Sequence, residues 1–193
     1  VICMEIDRRD RVWVGTEEGL SIYDPATGNF ENPPAVSSDG SPYHIVEITE
    51  SPDGLIWIGT FNHGMFYTST DTISLKAAGQ GIIKGSVNDI HFETAGKVWI
   101  ASDSGLYIME RNGSNDSYTI KRSSIVISNE SIRDIIIDRN GNIWMATRER
   151  GLMIFFPKTG FLERLQENFV SSRGLLSNRL TDVYMDSKGG IWL

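Results

Sequence analysis

The sequence predicts an all-β fold, a β-propeller of four-stranded antiparallel blades with about 4.5 blades present, on three observations. Five tryptophans recur at near-constant spacing, each inside the same short apolar strand. A turn signal precedes each of these strands, and a Gly-hydrophobic pair follows four of them. Self-similarity at this period marks a repeat architecture, and four short strands per period mark a propeller blade.

The tryptophans are Trp13, Trp57, Trp99, Trp144 and Trp192, separated by 44, 42, 45 and 48 residues. Their frames read Arg11-Val-Trp-Val-Gly-Thr16, Leu55-Ile-Trp-Ile-Gly-Thr60, Lys97-Val-Trp-Ile-Ala-Ser102, Asn142-Ile-Trp-Met-Ala-Thr147 and Gly190-Ile-Trp-Leu193. Upstream, an alternating first strand ends in an acidic residue at 1–7, 45–50, 87–93, 132–138 and 180–186. A tight turn follows at Asp53-Gly54, Ala95-Gly96, Asn140-Gly141 and Lys188-Gly189, whose glycines suit the positive φ of two-residue hairpins. The first copy has Arg9-Asp10 there, which predicts a longer or strained turn. Gly19-Leu20, Gly64-Met65, Gly105-Leu106 and Gly151-Leu152 open third strands over 20–24, 65–68, 106–110 and 152–156. Fourth strands are expected at 29–31, 73–75, 118–121 and 161–165. The repeats divide the chain at about 1–43, 44–85, 86–130, 131–178 and 179–193, the last incomplete, within one partial propeller over 1–193. A fifth first strand has no slot in a four-bladed ring. The expectation is a fragment of a longer, seven-bladed propeller that self-associates through its open blade edges.

Composition narrows the function classes. Of 193 residues, 40% are hydrophobic and 22% charged, as in ordinary globular domains. A net charge of −7 provides no basic footprint, so no nucleic-acid binding is expected of this segment. Cys3 is the single cysteine, so no intramolecular disulfide forms. No run reaches the apolar length of a membrane span, and no signal peptide follows Val1, which suggests an internal piece of a longer chain.

The pattern Asp-x-x-Gly-x-Ile-Trp-x-Ala/Gly-Thr-x-x-x-Gly-Leu-x-x-Phe/Tyr, met almost throughout from Asp138 to Phe155, resembles the two-component regulator propeller repeat. Gly174-Leu-Leu-Ser-Asn178 resembles the lead-in to a blade of that family. The resemblance covers essentially the whole chain. It implies seven-bladed propellers, often two in tandem, in the periplasmic region of hybrid two-component sensors of Bacteroidetes type. It further implies an inner-membrane parent with a histidine kinase, a receiver and a helix-turn-helix output domain, and a response to breakdown products of polysaccharides.

Candidate binding residues lie on the loops at one end of the blades, where propellers take ligands. Loops between second and third strands carry Glu17, Glu18, Phe61, Asn62, His63, Asp103, Ser104, Arg148, Glu149 and Arg150. Segments between blades carry Tyr43, His44, Ser86, Asn88, the stretch 129–133, Asn178 and Arg179. Tyr43, Phe61, His63, Arg148, Arg150 and Arg179 are the candidates for ligand contact, because such side chains fork hydrogen bonds to sugar hydroxyls or pair with a uronate or sulfate. The same polar loops also suit plain solvation. One Trp per blade in one slot argues for packing between blades rather than for sugar stacking. His44, His63 and His91 match no zinc spacing, and no nucleophile–base pair, phosphate loop or cofactor motif occurs. The sequons at Asn112, Asn115 and Asn129 mark exposed loops.

The leading expectation is an extracytoplasmic sensor module for oligosaccharides, with no catalytic or metal site in this segment. Its alternatives are a structural or protein-interaction propeller and a lyase-type propeller enzyme, which would need a divalent cation and a loop-face histidine.

Overall fold

The structure, a computed structural model, describes residues 1–79, 81–94, 96–112, 118–125, 130–168 and 174–193. The first sheet holds β1 (Cys3–Ile6), β2 (Val12–Thr16), β3 (Gly19–Asp24) and β4 (Asn29–Glu31). The second holds β5 (Ile45–Glu50), β6 (Leu55–Thr60), β7 (Met65–Ser69) and β8 (Lys76–Ala78). The third holds β9 (Val87–Thr94), β10 (Lys97–Ser102), β11 (Gly105–Arg111) and β12 (Tyr118–Arg122). The fourth holds β13 (Ile132–Ile137), β14 (Ile143–Thr147), β15 (Leu152–Phe156) and β16 (Phe161–Leu165), and β17 (Tyr184–Met185) pairs with β18 (Ile191–Trp192). Every sheet is an antiparallel meander in chain order, and the inner strands of successive blades lie side by side, β1 on β5, β5 on β9 and β9 on β13. The chain is a partial β-propeller. No helix occurs among the described residues, so none there is long and apolar enough to cross a membrane.

The Trp strand explains why blades stack. Ile56 and Ile58 pack back onto Trp13 and Ile22 of the first blade, while Trp57 between them packs forward with Ile90, Val98 and Ile100 of the third. Val98 and Ile100 face back in the same way, and Trp99 and Ala101 face forward onto Ile132, Ile135 and Ile143. Successive side chains of a strand point to opposite faces, so an apolar run of this kind serves two interfaces at once. Trp144 and Ala146 face forward onto Val183, Leu180 and Ile191. Trp192 is 64% exposed, whereas Trp13, Trp57 and Trp99 are buried. The slot two residues after Trp must be small. A Cβ on Gly59 would stand 2.7 Å from the Val87 carbonyl oxygen, where the next inner strand begins.

An indole clasp secures four of the five tryptophans. Trp13 Nε1 donates to Asp7 at 2.8 Å, Trp99 to Glu93 at 2.7 Å, Trp144 to Asp138 at 3.0 Å and Trp192 to Asp186 at 2.9 Å. Burial works against ionisation of Asp7 and Asp138, but hydrogen bonds, that of the indole foremost, hold both below the usual carboxylate range. In the second blade the position is Ser51, and Glu50 faces Arg8 at 3.4 Å instead.

Several elements differ from expectation. The turns at 52–54, 139–141 and 187–189 hold three residues rather than two. Gly54 N donates to Ser51 O, and Ser51 N donates to Leu55 O, which is a type I turn followed by a left-handed glycine. Asp138 Oδ1 and Asp186 Oδ1 set this geometry by accepting the backbone N–H groups two and four residues on. The turn at Arg9-Asp10 is no longer than the others. Asp10 takes the glycine position with φ 62°. The fourth strand of the second blade is Lys76–Ala78, not 73–75. Ile73 and Leu75 are drawn against the first core cluster, and Thr68 Oγ1 binds Ser74 N and Thr72 O, which delays the ladder. The last inner strand pairs only over Tyr184–Met185, not over 180–186. Ala95, the sequons at Asn115 and Asn129 and part of the one at Asn112 lie outside the described residues.

Candidate ligand-binding site

A bulge recurs at the start of the inner strand. Ile45 pairs with Thr60 and Glu47 with Gly59, which leaves Val46 as an extra residue. Asn88 is extra between Val87 and Asp89, and Arg133 between Ile132 and Asp134. A bulge re-aims a side chain and bends the strand. Val46, Asn88 and Arg133 line one cavity of about 360 Å³, with Arg148, Arg179, Leu180 and Thr181. Three blades thus turn the same structural position towards one space.

The loops complete the wall by an equally repeated device. Phe61 N donates to His44 O, Asp103 N to Ser86 O and Arg148 N to Ser131 O. Each bond pins the first loop residue beside the lead-in to its own inner strand. Asp103 therefore reaches the bulge. Its Oδ1 accepts Ser131 Oγ at 2.8 Å and Asn88 Nδ2 at 3.2 Å, and Arg133 stands 3.7 Å away. Burial opposes its ionisation, yet these hydrogen bonds and the Arg133 charge hold its carboxyl below the usual range. Asn88 Nδ2 also donates to Ile132 O at 2.8 Å, which ties the third blade to the fourth.

Behind each bulge stands an acid, Glu47, Asp89 or Asp134. Asp89 Oδ2 accepts Ile135 N at 2.9 Å, and Asp134 Oδ2 accepts Val183 N at 2.7 Å, so these acids join successive inner strands. Burial, with the charges of Asp134 and Glu5, pushes Glu47 up to about 8. Burial, then Asp134 and Glu47, raises Asp89 well above the carboxylate range. Burial and Asp182 raise Asp134 to about 6. Burial also pushes the Cys3 thiol up to about 12 and pushes His91 down. Among the described residues, no three His, Cys, Asp or Glu side chains are arranged to hold a metal ion.

The six sequence candidates fall into separate places. Arg148 and Arg179 share the bulge cavity. Arg150 pairs with Glu130 at 2.5 Å in an adjoining cleft of about 250 Å³ that Arg148 also borders. Tyr43 and His63, with ring centroids 5.1 Å apart, line a second cavity of about 550 Å³ with Phe66 and Lys84. The Phe61 ring lies tilted against His44, centroids 5.5 Å apart, and borders neither cavity. Trp99 borders a cleft of about 360 Å³ at the opposite, turn end of its blade. Sequence reasoning placed 86–88 and 129–133 on the loop face without taking Asn88 or Arg133 among the contact candidates, and it missed Val46, Thr181 and the acids. The signal was present as a spacing of three between buried Ile45 and Ile48, Val87 and Ile90, and Ile132 and Ile135, where unbroken alternation gives two.

The two component regulator propeller family matches residues 126–149, which run through the lead-in, β13, its turn and all of β14. The match is confined to the fourth blade and its lead-in. Solved structures extend the likeness to the whole chain. The extracellular domain of BT3049 from B. thetaiotaomicron, described as a hybrid two component system, superposes with a TM-score of 0.76 at 25% identity, over 100% of this chain and 25% of that one. That of BT4673 from the same organism, likewise described, superposes with a TM-score of 0.76 at 21% identity, over 98% and 25%. The chain spans about a quarter of the length of these two structures. Virginiamycin B lyase from Staphylococcus aureus shares the fold, with a TM-score of 0.70 at 11% identity, over 98% of this chain and 61% of that one. None of the curated proteins matches the chain.

Proposed function

We propose that this chain is a ligand-sensing propeller of a two-component regulator, placed outside the cytoplasm, and that it binds an oligosaccharide in the bulge cavity. The observation that carries the reading is the convergence of Val46, Asn88 and Arg133, one bulged residue from each of three blades, on a space that two loop arginines also line. The regulator propeller match and the likeness to extracellular domains support the sensor role. The parent anchors the propeller in the inner membrane and carries the kinase.

The cavity suits a small sugar. Its volume of about 360 Å³ lies at the lower end of small-ligand sites, which run from ~300 to ~1,000 Å³. Guanidinium and amide donors orient hydroxyl groups, and Val46 and Leu180 offer apolar surface to a ring face. A ligand held there touches three blades and the lead-in to the fifth, so it favours whichever arrangement of those blades fits it. A signal needs that difference in affinity between two states.

A glycan screen followed by calorimetry tests the reading. Val46→Trp, which fills the cavity, is expected to abolish binding, and Asn88→Ala to weaken it at least fivefold. Phe61→Ala, outside the cavity, is expected to leave it unchanged. Full binding by Val46→Trp would sink the reading.

A further inference from the structure

We propose that the ligand carries an anionic group, a carboxylate or a sulfate ester, seated among Arg133, Arg148 and Arg179 in the bulge cavity. This deepens the sensor reading and rests on it.

The charge pattern of the wall carries the argument. The protein has a net charge of −7, yet the residues lining this cavity include three arginines and no carboxylate. Only Arg133 has an acidic neighbour there. That neighbour, Asp103, stands 3.7 Å away and already accepts hydrogen bonds from Ser131 and Asn88. Arg148 and Arg179 have no ion-pair partner among the described residues. The adjoining cleft shows the contrast, since Arg150 meets Glu130 at 2.5 Å. Glu130 is buried there, so that cation is neutralised within the fold. The cavity cations are left for something else.

Like charges around one concave space repel each other and focus a positive potential into it. An anionic group placed among them removes the repulsion and gains charge-assisted, bidentate hydrogen bonds. Two of the three acids behind the bulges oppose this field little, because burial raises Glu47 to about 8 and shifts Asp89 the same way. Asp134, raised only to about 6, is charged at neutral pH, and its Oδ2 accepts Val183 N. Asn88, fixed by Ile132 O and Asp103, and the Thr181 hydroxyl stand beside the arginines to read neighbouring groups.

Calorimetry with three matched disaccharides tests the proposal: one with a uronic carboxylate, one with an O-sulfate and one neutral. At least one acidic probe is expected to bind tenfold or more tightly than the neutral one, and to weaken as salt rises from 50 to ~200 mM. The stronger of the two acidic arms identifies the anion. Arg148→Gln and Arg179→Gln are each expected to lose about tenfold for that probe and markedly less for the neutral one, with an unchanged melting temperature. Arg148→Lys, which keeps the charge without the fork, is expected to lose less. A neutral probe bound as tightly as both acidic ones, without salt dependence, overturns the proposal and leaves the sensor reading standing. Binding by none of the three, at any salt, overturns both.

Discussion

A carboxylate in this protein stabilises or destabilises according to which end of the inner strand it occupies. Asp7 accepts Trp13 Nε1 at 2.8 Å, Arg9 N at 2.9 Å and Arg11 N at 3.0 Å, and it pairs with the Arg11 guanidinium at 2.7 Å. Asp7→Ala leaves a buried indole N–H and turn amides without partners, and it is expected to cost about 1–3 kcal/mol in chemical denaturation. The fold holds Asp7 below its unfolded range, so its contribution is present above the unfolded value and disappears as pH falls through the folded one. Glu47 runs the opposite way. Its folded value is about 8 against an ordinary 4.5, so the folded state holds a proton that the unfolded state releases first. Stability from this group is complete below pH 4.5 and declines as pH rises towards 8. Thermal melts between those limits are expected to fall with pH in the wild type, and Glu47→Gln is expected to flatten the curve. An unchanged slope in Glu47→Gln would remove Glu47 as the cause.

Among elements, the Trp strand and the bulge divide the labour. The Trp strand packs blades, and its sequence states this openly because each apolar residue must serve a face. Trp57 is 1% exposed and stacks on Tyr67 at 4.9 Å, with Phe92 and Tyr118 against its edges. Trp57→Ala is expected to cost about 3–5 kcal/mol, read by urea denaturation. Gly59→Ala is expected to cost about 1–3 kcal/mol by the same measurement, because its Cβ would meet the Val87 carbonyl oxygen at 2.7 Å. Ala101 fills the matching slot of the third blade, so the limit is set by how closely the next inner strand approaches. The bulge was harder to see. The residues it re-aims, Val46, Asn88 and Arg133, differ in chemistry from blade to blade while the buried residues flanking them remain Ile or Val. That contrast within the repeats separates the positions that line the cavity from the positions that pack blades. Turn length was misread because a Gly in the last place of a three-residue loop looks the same in sequence as one in a two-residue loop. Only the capture of backbone amides by Asp138 and Asp186 separates them.

At the scale of the whole molecule, the cavity belongs to no single blade. Its walls come from residues 46, 88, 133, 148 and 179–181, so it exists only while the blades keep their relative angles. A ligand there is expected to raise the melting temperature along with its occupancy, by the equivalent of about 2.7 kcal/mol at a hundredfold excess over Kd. Val46→Trp, with the cavity filled, is expected to show no such shift. The sequence alone determined the blades, because a repeat writes the same local instructions several times: a carboxylate before the turn, a Trp between two aliphatic residues, a small residue next and a left-handed glycine beyond. These act within about 25 residues, and their repetition makes them readable. It also brought Arg148 and Arg179 forward as candidates but grouped them with Phe61, Arg150, Tyr43 and His63. Only the tertiary structure separated these into a shared cavity, an ion pair, a second cavity and, for Phe61, an aromatic contact outside both cavities. Which side chains meet depends on the bulge that turns them and on the angle between blades, and both are settled by packing between residues more than forty positions apart.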